Sequence, residues 1–278
     1  GLPFATEVLT GDYAAPGAAE RLIAARPAVI FHLASIVSGE AEARFEEGYR
    51  INLDGTRALF EAIRAVEGYR PRVIYTSSLA VFGAPFPAVV DDDFLTAPAS
   101  SYGVQKVIGE LLLADYSRKG FLDGVALRLP TICVRPGRPN AALSGFISGI
   151  IREPLNGVEA VLPVEEGLRV WIASPRAAVG YLQHAATMDT APLGARRSLN
   201  MPGVSVTIGE QIEALRAHAG AAAVALIRRR PDPVVARVVG GWPQAFTAAR
   251  ALALGFTGDD GFAGILDAYL TEDFRPAA

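Results

Sequence analysis

The sequence predicts an α/β protein: a doubly wound parallel sheet followed by a smaller α/β region. Three observations carry this. Residues 28–34 (AVIFHLA), 72–76 (RVIYT) and 124–129 (GVALRL) read as strands covered on both faces. Helical-period segments separate them, which is the strand–helix rhythm of a parallel sheet. The 278 residues, 51% hydrophobic and 20% charged, suffice for a sizeable core and are too apolar for disorder.

The elements follow in order. Residues 7–10 are strand-like and 16–25 helical, ahead of the buried strand 28–34. Residues 40–66 hold one or two helices, with Leu59, Phe60 and Ile63 at helical spacing. After the strand 72–76, residues 100–118 form a helix whose apolar positions are Val104, Val107, Ile108, Leu111 and Leu112. The strand 124–129 ends the regular part. Short strands at 161–164, 169–173, 197–201 and 223–227 then alternate with helices. Ser174-Pro175 is an N-cap with proline at the first helical position. Thr207 and Glu210 fit a capping box, and helices near 243–254 and 261–270 close the chain. The division predicted is a first domain over 1–135 and a second mainly over 136–278, with short segments returning to the first.

Composition narrows the function. The net charge of −3 supplies no basic excess to neutralise phosphates, so nucleic acid is not the expected partner. Cys133 is the single cysteine, which excludes an intrachain disulfide and a cysteine zinc site. His32, His184 and His218 are too dispersed for a local metal motif, and no metal is expected. The longest apolar runs fall far short of a membrane span. The chain opens on Gly1 with no visible secretory or transit segment, and a fragment is expected. Of 26 basic residues only Lys106 and Lys119 are lysines, so each merits attention.

Tyr102 and Lys106 form the sharpest constellation. Spaced i and i+4 at the start of a helix, they share one face. A free phenol titrates near 10, and a neighbouring ammonium is expected to lower that value. A tyrosine so tuned can take a proton from an alcohol while hydride leaves the same carbon. The plain alternative is a solvated helix face. Thr76-Ser77-Ser78 ends the strand before that helix, which puts hydroxyls at the ligand-binding edge of a parallel sheet. Ser78 could there bond a substrate oxygen and hold it against Tyr102; the alternative is a simple strand end. His32-Leu33-Ala34-Ser35 ends the preceding strand with side chains small enough for a cofactor to approach, and His32 alone reads as a core residue.

These residues, together with Ala80-Val81-Phe82-Gly83, Asn52-Leu53-Asp54-Gly55-Thr56 and the segment 128–137, resemble the extended short-chain dehydrogenases, the NAD-dependent epimerase/dehydratase family. The resemblance spans nearly the whole chain. It implies a Rossmann-type dinucleotide-binding domain over 1–135 and a substrate domain after it. It implies Tyr102 as general base, Lys106 lowering its pKa while binding the nicotinamide ribose, and Ser78 as the third catalytic residue. Asp12 would bind adenine; Leu33, Ala34, Ser35, Thr76 and Leu129 would line NAD, and Asn52 would brace that loop. Phe82 stands where many members carry tyrosine, which leaves the later Tyr102 as the catalytic one. The Gly-rich turn that seats the pyrophosphate has no counterpart before Asp12, so about one βαβ unit, on the order of 50 residues, is expected upstream. The acidic residue that separates NAD from NADP falls in that part.

Within the family, residues 36–42, 129–137 and 139–142 are most similar to members that oxidise a four-carbon sugar acid at C2 to the 2-oxo acid with NAD. A small acid needs a carboxylate clamp, for which arginine supplies a planar fork. Arg138, Asn140 and Arg176 are the candidates, and Ser38 adds a hydroxyl; for each arginine the alternative is surface solvation or an ion pair. Cys133 reads as packing. The resemblance also implies a homodimer through residues 54–66 and 100–118; a cytoplasmic location is expected. The other readings are a nucleotide-sugar epimerase or dehydratase, an L-threonine-type dehydrogenase, and a binding module without its cofactor loop.

Overall fold

The computed structural model describes residues 7–137 and 143–275. Helix α1 (Ala18–Ile23) precedes the first strand, β1 (Val29–His32). Two short helices, α2 (Ser38–Ala43) and α3 (Phe45–Gly48), lead into a π-helical turn over Tyr49–Asp54 that runs on as α4 (Gly55–Ala65). Strand β2 (Arg72–Ser78) ends in a 3₁₀ turn over Leu79–Val81. Helix α5 (Ser101–Arg118), capped by Ser100, feeds β3 (Asp123–Leu129) and the two-residue β4 (Thr131–Ile132).

The second half runs α6 (Gly145–Leu155), β5 (Ala160–Leu162), β6 (Arg169–Ala173) and α7 (Pro175–Thr187). It continues with β7 (Ser198–Asn200), β8 (Val204–Thr207), α8 (Ile208–Val224, interrupted at Gly220) and β9 (Ile227–Arg229). Helices α9 (Pro233–Gly240), α10 (Ala249–Ala253) and α11 (Gly261–Ala268) complete it.

The main sheet is all parallel, in the order β1-β2-β3-β7. Strand alternation splits its side chains between two layers. Val73 and Tyr75 pack under α1, α4 and α5, with Phe60, Ile63 and Leu113. Ile74, Val125 and Leu127 pack on the other face against Tyr181 and Ala185 of α7. This is the Rossmann-type, doubly wound arrangement. A separate core joins α6, α8 and α11 to β6 and β8. There β4, β6 and β8 form a small mixed sheet, and β5 pairs with β9.

Three sequence expectations are corrected. Residues 7–10 are irregular and form no strand. The stretch 223–227 is divided between the end of α8 and the start of β9, because alanine-rich Ala221–Ala223 sustains the helix. The helix expected over 243–254 is confined to Ala249–Ala253; Val90 and Phe246 instead form an isolated bridge. The caps at Ser174 and Thr207 form as their residue types require, with hydroxyls accepting from Ala177 N at 2.9 Å and Glu210 N at 3.1 Å.

Candidate active site

The site lies where β1, β2 and β3 end together. Ser78 and Leu129 are register partners at the carboxyl ends of β2 and β3. Thr76 Oγ1 donates to the His32 carbonyl at 3.1 Å and ties β1 to β2. Ser78 Oγ accepts from Ala80 N at 3.2 Å and caps the 3₁₀ turn. Helix α5 abuts that turn so closely that a Cβ on Gly103 would run into the Ala80 carbonyl oxygen. The contact delivers Tyr102, the residue before it, to Ser78. Hydrogen bonding to Ser78 and Ser35 restrains the Tyr102 phenol, yet burial dominates and pushes it up to about 12.

Lys106 lies one turn along α5 and is 2% exposed. Its Nζ donates to the Thr76 carbonyl at 2.8 Å and sits 5.0 Å from the Tyr75 ring centroid and 5.4 Å from that of Tyr102. Burial brings it down to about 7, with Glu110 acting the other way. The sequence expectation that Lys106 lowers Tyr102 is therefore corrected. Burial disfavours both charges, and the ammonium is turned to a carbonyl and to ring faces.

The loop after β1 is held by Asn52, which is 2% exposed in the π-helical turn. Its Oδ1 accepts from Ser35 Oγ and Ile36 N, both at 2.9 Å, and its Nδ2 donates to Ile36 O at 3.1 Å and Gln105 Oε1 at 2.8 Å. Leu33 and Ala34 are left exposed. His32 Nε2 lies 2.8 Å from Thr56 Oγ1, whose own proton goes to Asn52 O at 2.8 Å, so Nε2 is the donor. Burial pushes His32 down to about 3, which fits the core role read from the sequence. Asp12 is exposed at this end. The Ala14 amide and the Arg50 guanidinium, at 2.9 and 2.6 Å, hold its carboxyl below the usual range.

These residues fit a dinucleotide. Among the described residues the three-donor Lys106 ammonium makes one hydrogen bond, and a ribose diol would suit the remaining donors. Among the described residues no cluster of three metal-ligating side chains occurs, and no helix is long and apolar enough to cross a membrane.

Not every candidate gathers there. Ser38 is half-buried as the first residue of α2. Arg138 and Asn140 lie outside the described residues. Arg176 is corrected: its Nε pairs with Glu272 Oε1 at 2.7 Å, with both side chains about half exposed, so its charge is already answered. Cys133 is fully buried beside Ile147 as a packing residue. Sequence reading missed Gln105, Glu110 and Arg128. Their signal was faint: a polar residue on either side of Lys106 in an otherwise apolar helix, and an arginine inside a buried strand.

The parallel sheet covered on both faces, with polar side chains gathered at the carboxyl ends of its strands, defines a class, the Rossmann-type α/β proteins. Residues 2–186 match the NAD dependent epimerase/dehydratase family, and the chain belongs to that family. It is 52% identical to a D-erythronate dehydrogenase of Cupriavidus necator, over 95% of this chain and 82% of that one. It is 42% identical to a D-erythronate dehydrogenase of Haemophilus influenzae, over 93% of this chain and 82% of that one. Among solved structures it resembles a nucleoside-diphosphate-sugar epimerase from Agrobacterium tumefaciens, with 58% identity and a TM-score of 0.92 over 98% of this chain and 82% of that one.

Proposed function

We propose that the chain is an NAD-dependent dehydrogenase that oxidises a small sugar acid, D-erythronate or a near relative, at C2 to the 2-oxo acid. The observation that carries this reading is the meeting of Ser78, Tyr102 and Lys106 at one sheet edge, in a chain 52% identical to a protein named for that activity. Ser78 bonds the C2 oxygen and holds it against Tyr102. Tyr102 takes the hydroxyl proton as hydride leaves C2; the nicotinamide supplies the hydride acceptor when bound. Hydrogen bonds to Ser78 and Ser35 favour the phenolate, against the burial that opposes it.

The cofactor half of the reading uses Asp12 at adenine, Leu33, Ala34, Ser35, Thr76 and Leu129 along the dinucleotide, and Asn52 as brace. Phe31 is exposed on β1, an edge strand among the described residues, which supports a further parallel strand there bearing the pyrophosphate seat. Residues 1–135 form the dinucleotide domain in this reading and 136–278 mainly the substrate domain. Ser38, Arg138 and Asn140 remain the substrate contacts, with the arginine on the carboxylate. The enzyme works in the cytoplasm as a homodimer; Leu111, 65% exposed on α5, supports an interface on that helix.

The test is D-erythronate deuterated at C2. The reading requires deuterium in the reduced cofactor and a 2-oxo acid trapped as its hydrazone. Deuterium retained in the acid product would reject it. The Agrobacterium neighbour favours a second reading, a nucleotide-sugar epimerase. That reading requires UDP- or TDP-sugar binding, and calorimetry showing none would dismiss it.

A further inference from the structure

Glu110 lies one turn beyond Lys106 on α5, on the same helix face, and is 4% exposed. Its carboxylate is surrounded by donors. Ser77 Oγ reaches Oε1 at 2.5 Å. The Arg128 fork reaches it through Nε at 2.9 and 3.2 Å and through Nη2 at 2.7 Å. Arg128 in turn donates to Asn200 Oδ1 at 3.3 Å and lies 5.0 Å over the Phe82 ring. One ion pair thus joins α5, β2, β3 and β7 directly beneath the site. Buried ion pairs are weak stability devices, since apolar substitutes of the same volume often do as well. The placement asks for another role, and Lys106 is the neighbouring buried cation.

We propose that Glu110 is a positioning residue: clamped by Ser77 and Arg128, it supplies the negative charge that keeps the Lys106 ammonium charged and seated on the Thr76 carbonyl beneath Tyr102. This deepens the reading of Tyr102 and Lys106 given above and rests on it for its use in catalysis. The groups facing Lys106 leave Glu110 as the carboxylate. From α5 come Tyr102 and Glu110, from β2 the Tyr75 ring and the Thr76 carbonyl, from β1 the neutral His32 with Tyr13 behind it, and from β3 Arg128. Aromatic faces attract an ammonium but do not replace a full opposite charge. The two Lys106 influences resolved are burial, which lowers it to about 7, and Glu110, which opposes that fall.

The sequence makes the test clean, because the chain holds only Lys106 and Lys119. Protein carrying ¹³C at lysine Cε gives two NMR signals, and exposed Lys119 is the internal control. Glu110→Gln keeps the acceptor from Ser77 but removes the charge, whereas Glu110→Asp keeps the charge on a shorter arm. The Lys106 midpoint is expected to fall by about one pH unit in Glu110→Gln, a tenfold change in its proton equilibrium. In Glu110→Asp it should move by less than half as much, and Lys119 should not move. A fall below about half a unit in Glu110→Gln, or equal movement in both variants, overturns the proposal. A purely structural Glu110 would lower Tm and leave the Lys106 midpoint alone. Should Glu110→Gln fail to fold, the carboxylate is removed in an Arg128→Met background instead, and the same fall is required of Glu110→Gln/Arg128→Met relative to Arg128→Met alone, so that the lost cation cancels from the comparison. The titration uses neither substrate nor cofactor, so an error about the substrate leaves its outcome unaffected.

Discussion

Tyr102 and Lys106 are driven in opposite directions by one cause, loss of water. Burial raises the phenol to about 12 and lowers the ammonium to about 7, so the pocket favours the neutral forms of both. The proposed reaction uses the phenolate as its base, so the largest loss of turnover is expected at Tyr102. Tyr102→Phe should lower kcat at least about 100-fold and leave NADH binding, read by fluorescence, unchanged. His32 is the clearest pH sensor of folding. Its folded value near 3 lies below the ordinary 6.5, so the unfolded chain takes up a proton that the folded one refuses. Its contribution is complete above pH 6.5 and is lost at about 1.4 kcal/mol per pH unit as the pH falls from 6.5 toward 3. Urea unfolding of His32→Gln should show a flatter acid limb than the parent; equal slopes would contradict this. Arg176 makes the opposite case. Its exposed pair with Glu272 is worth about 0–1 kcal/mol, and Arg176→Ala should leave kcat and KM within about twofold.

Helix α5 shows most sharply what its residues disclosed and what they hid. Ser100 and the Tyr–Lys spacing placed its start and its chemical face. Its hydrophobic pattern pointed away from the sheet. Leu111 is 65% exposed, and Val104, Val107, Ile108 and Leu112 are half-buried, whereas Gly103, Gln105, Lys106, Gly109 and Glu110 are buried. Near the site the sheet-facing side is built from glycines that allow close approach and from polar groups, and apolar packing on the sheet resumes only at Leu113 and Tyr116. A pattern that equates apolar with inward cannot read such a helix. The capped helices α7 and α8 were legible because their signals are local. Strands at 7–10 and 223–227 were misplaced because short apolar runs do not distinguish helix, strand and loop. The close approach has a consequence. A Cβ at Gly103 would meet the Ala80 carbonyl and lift Tyr102 from Ser78. Gly103→Ala should therefore lower kcat more than tenfold, though alanine is the better helix former by about 1 kcal/mol. Parent-like turnover would show that the approach is dispensable.

Across the whole molecule, the parallel sheet β1-β2-β3-β7 brings Leu33, Ser78 and Leu129 to one edge, and a second core around α6 and α8 stands behind β4 and β6. The parallel order was readable from three buried runs. The strand Ser198–Asn200 was readable within 197–201, but its pairing with β3 was not. The same limit applies to Arg128 and Asn200, which are 72 residues apart and meet only in the fold. The central claim, that this edge oxidises a small sugar acid, is tested most directly by the initial rate of NADH formation. The assay sets D-erythronate against L-threonine and a UDP-sugar, at equal concentration with saturating NAD. The account predicts turnover with D-erythronate and background rates with the other two. Turnover confined to L-threonine or the UDP-sugar, with none on the acid, would contradict it.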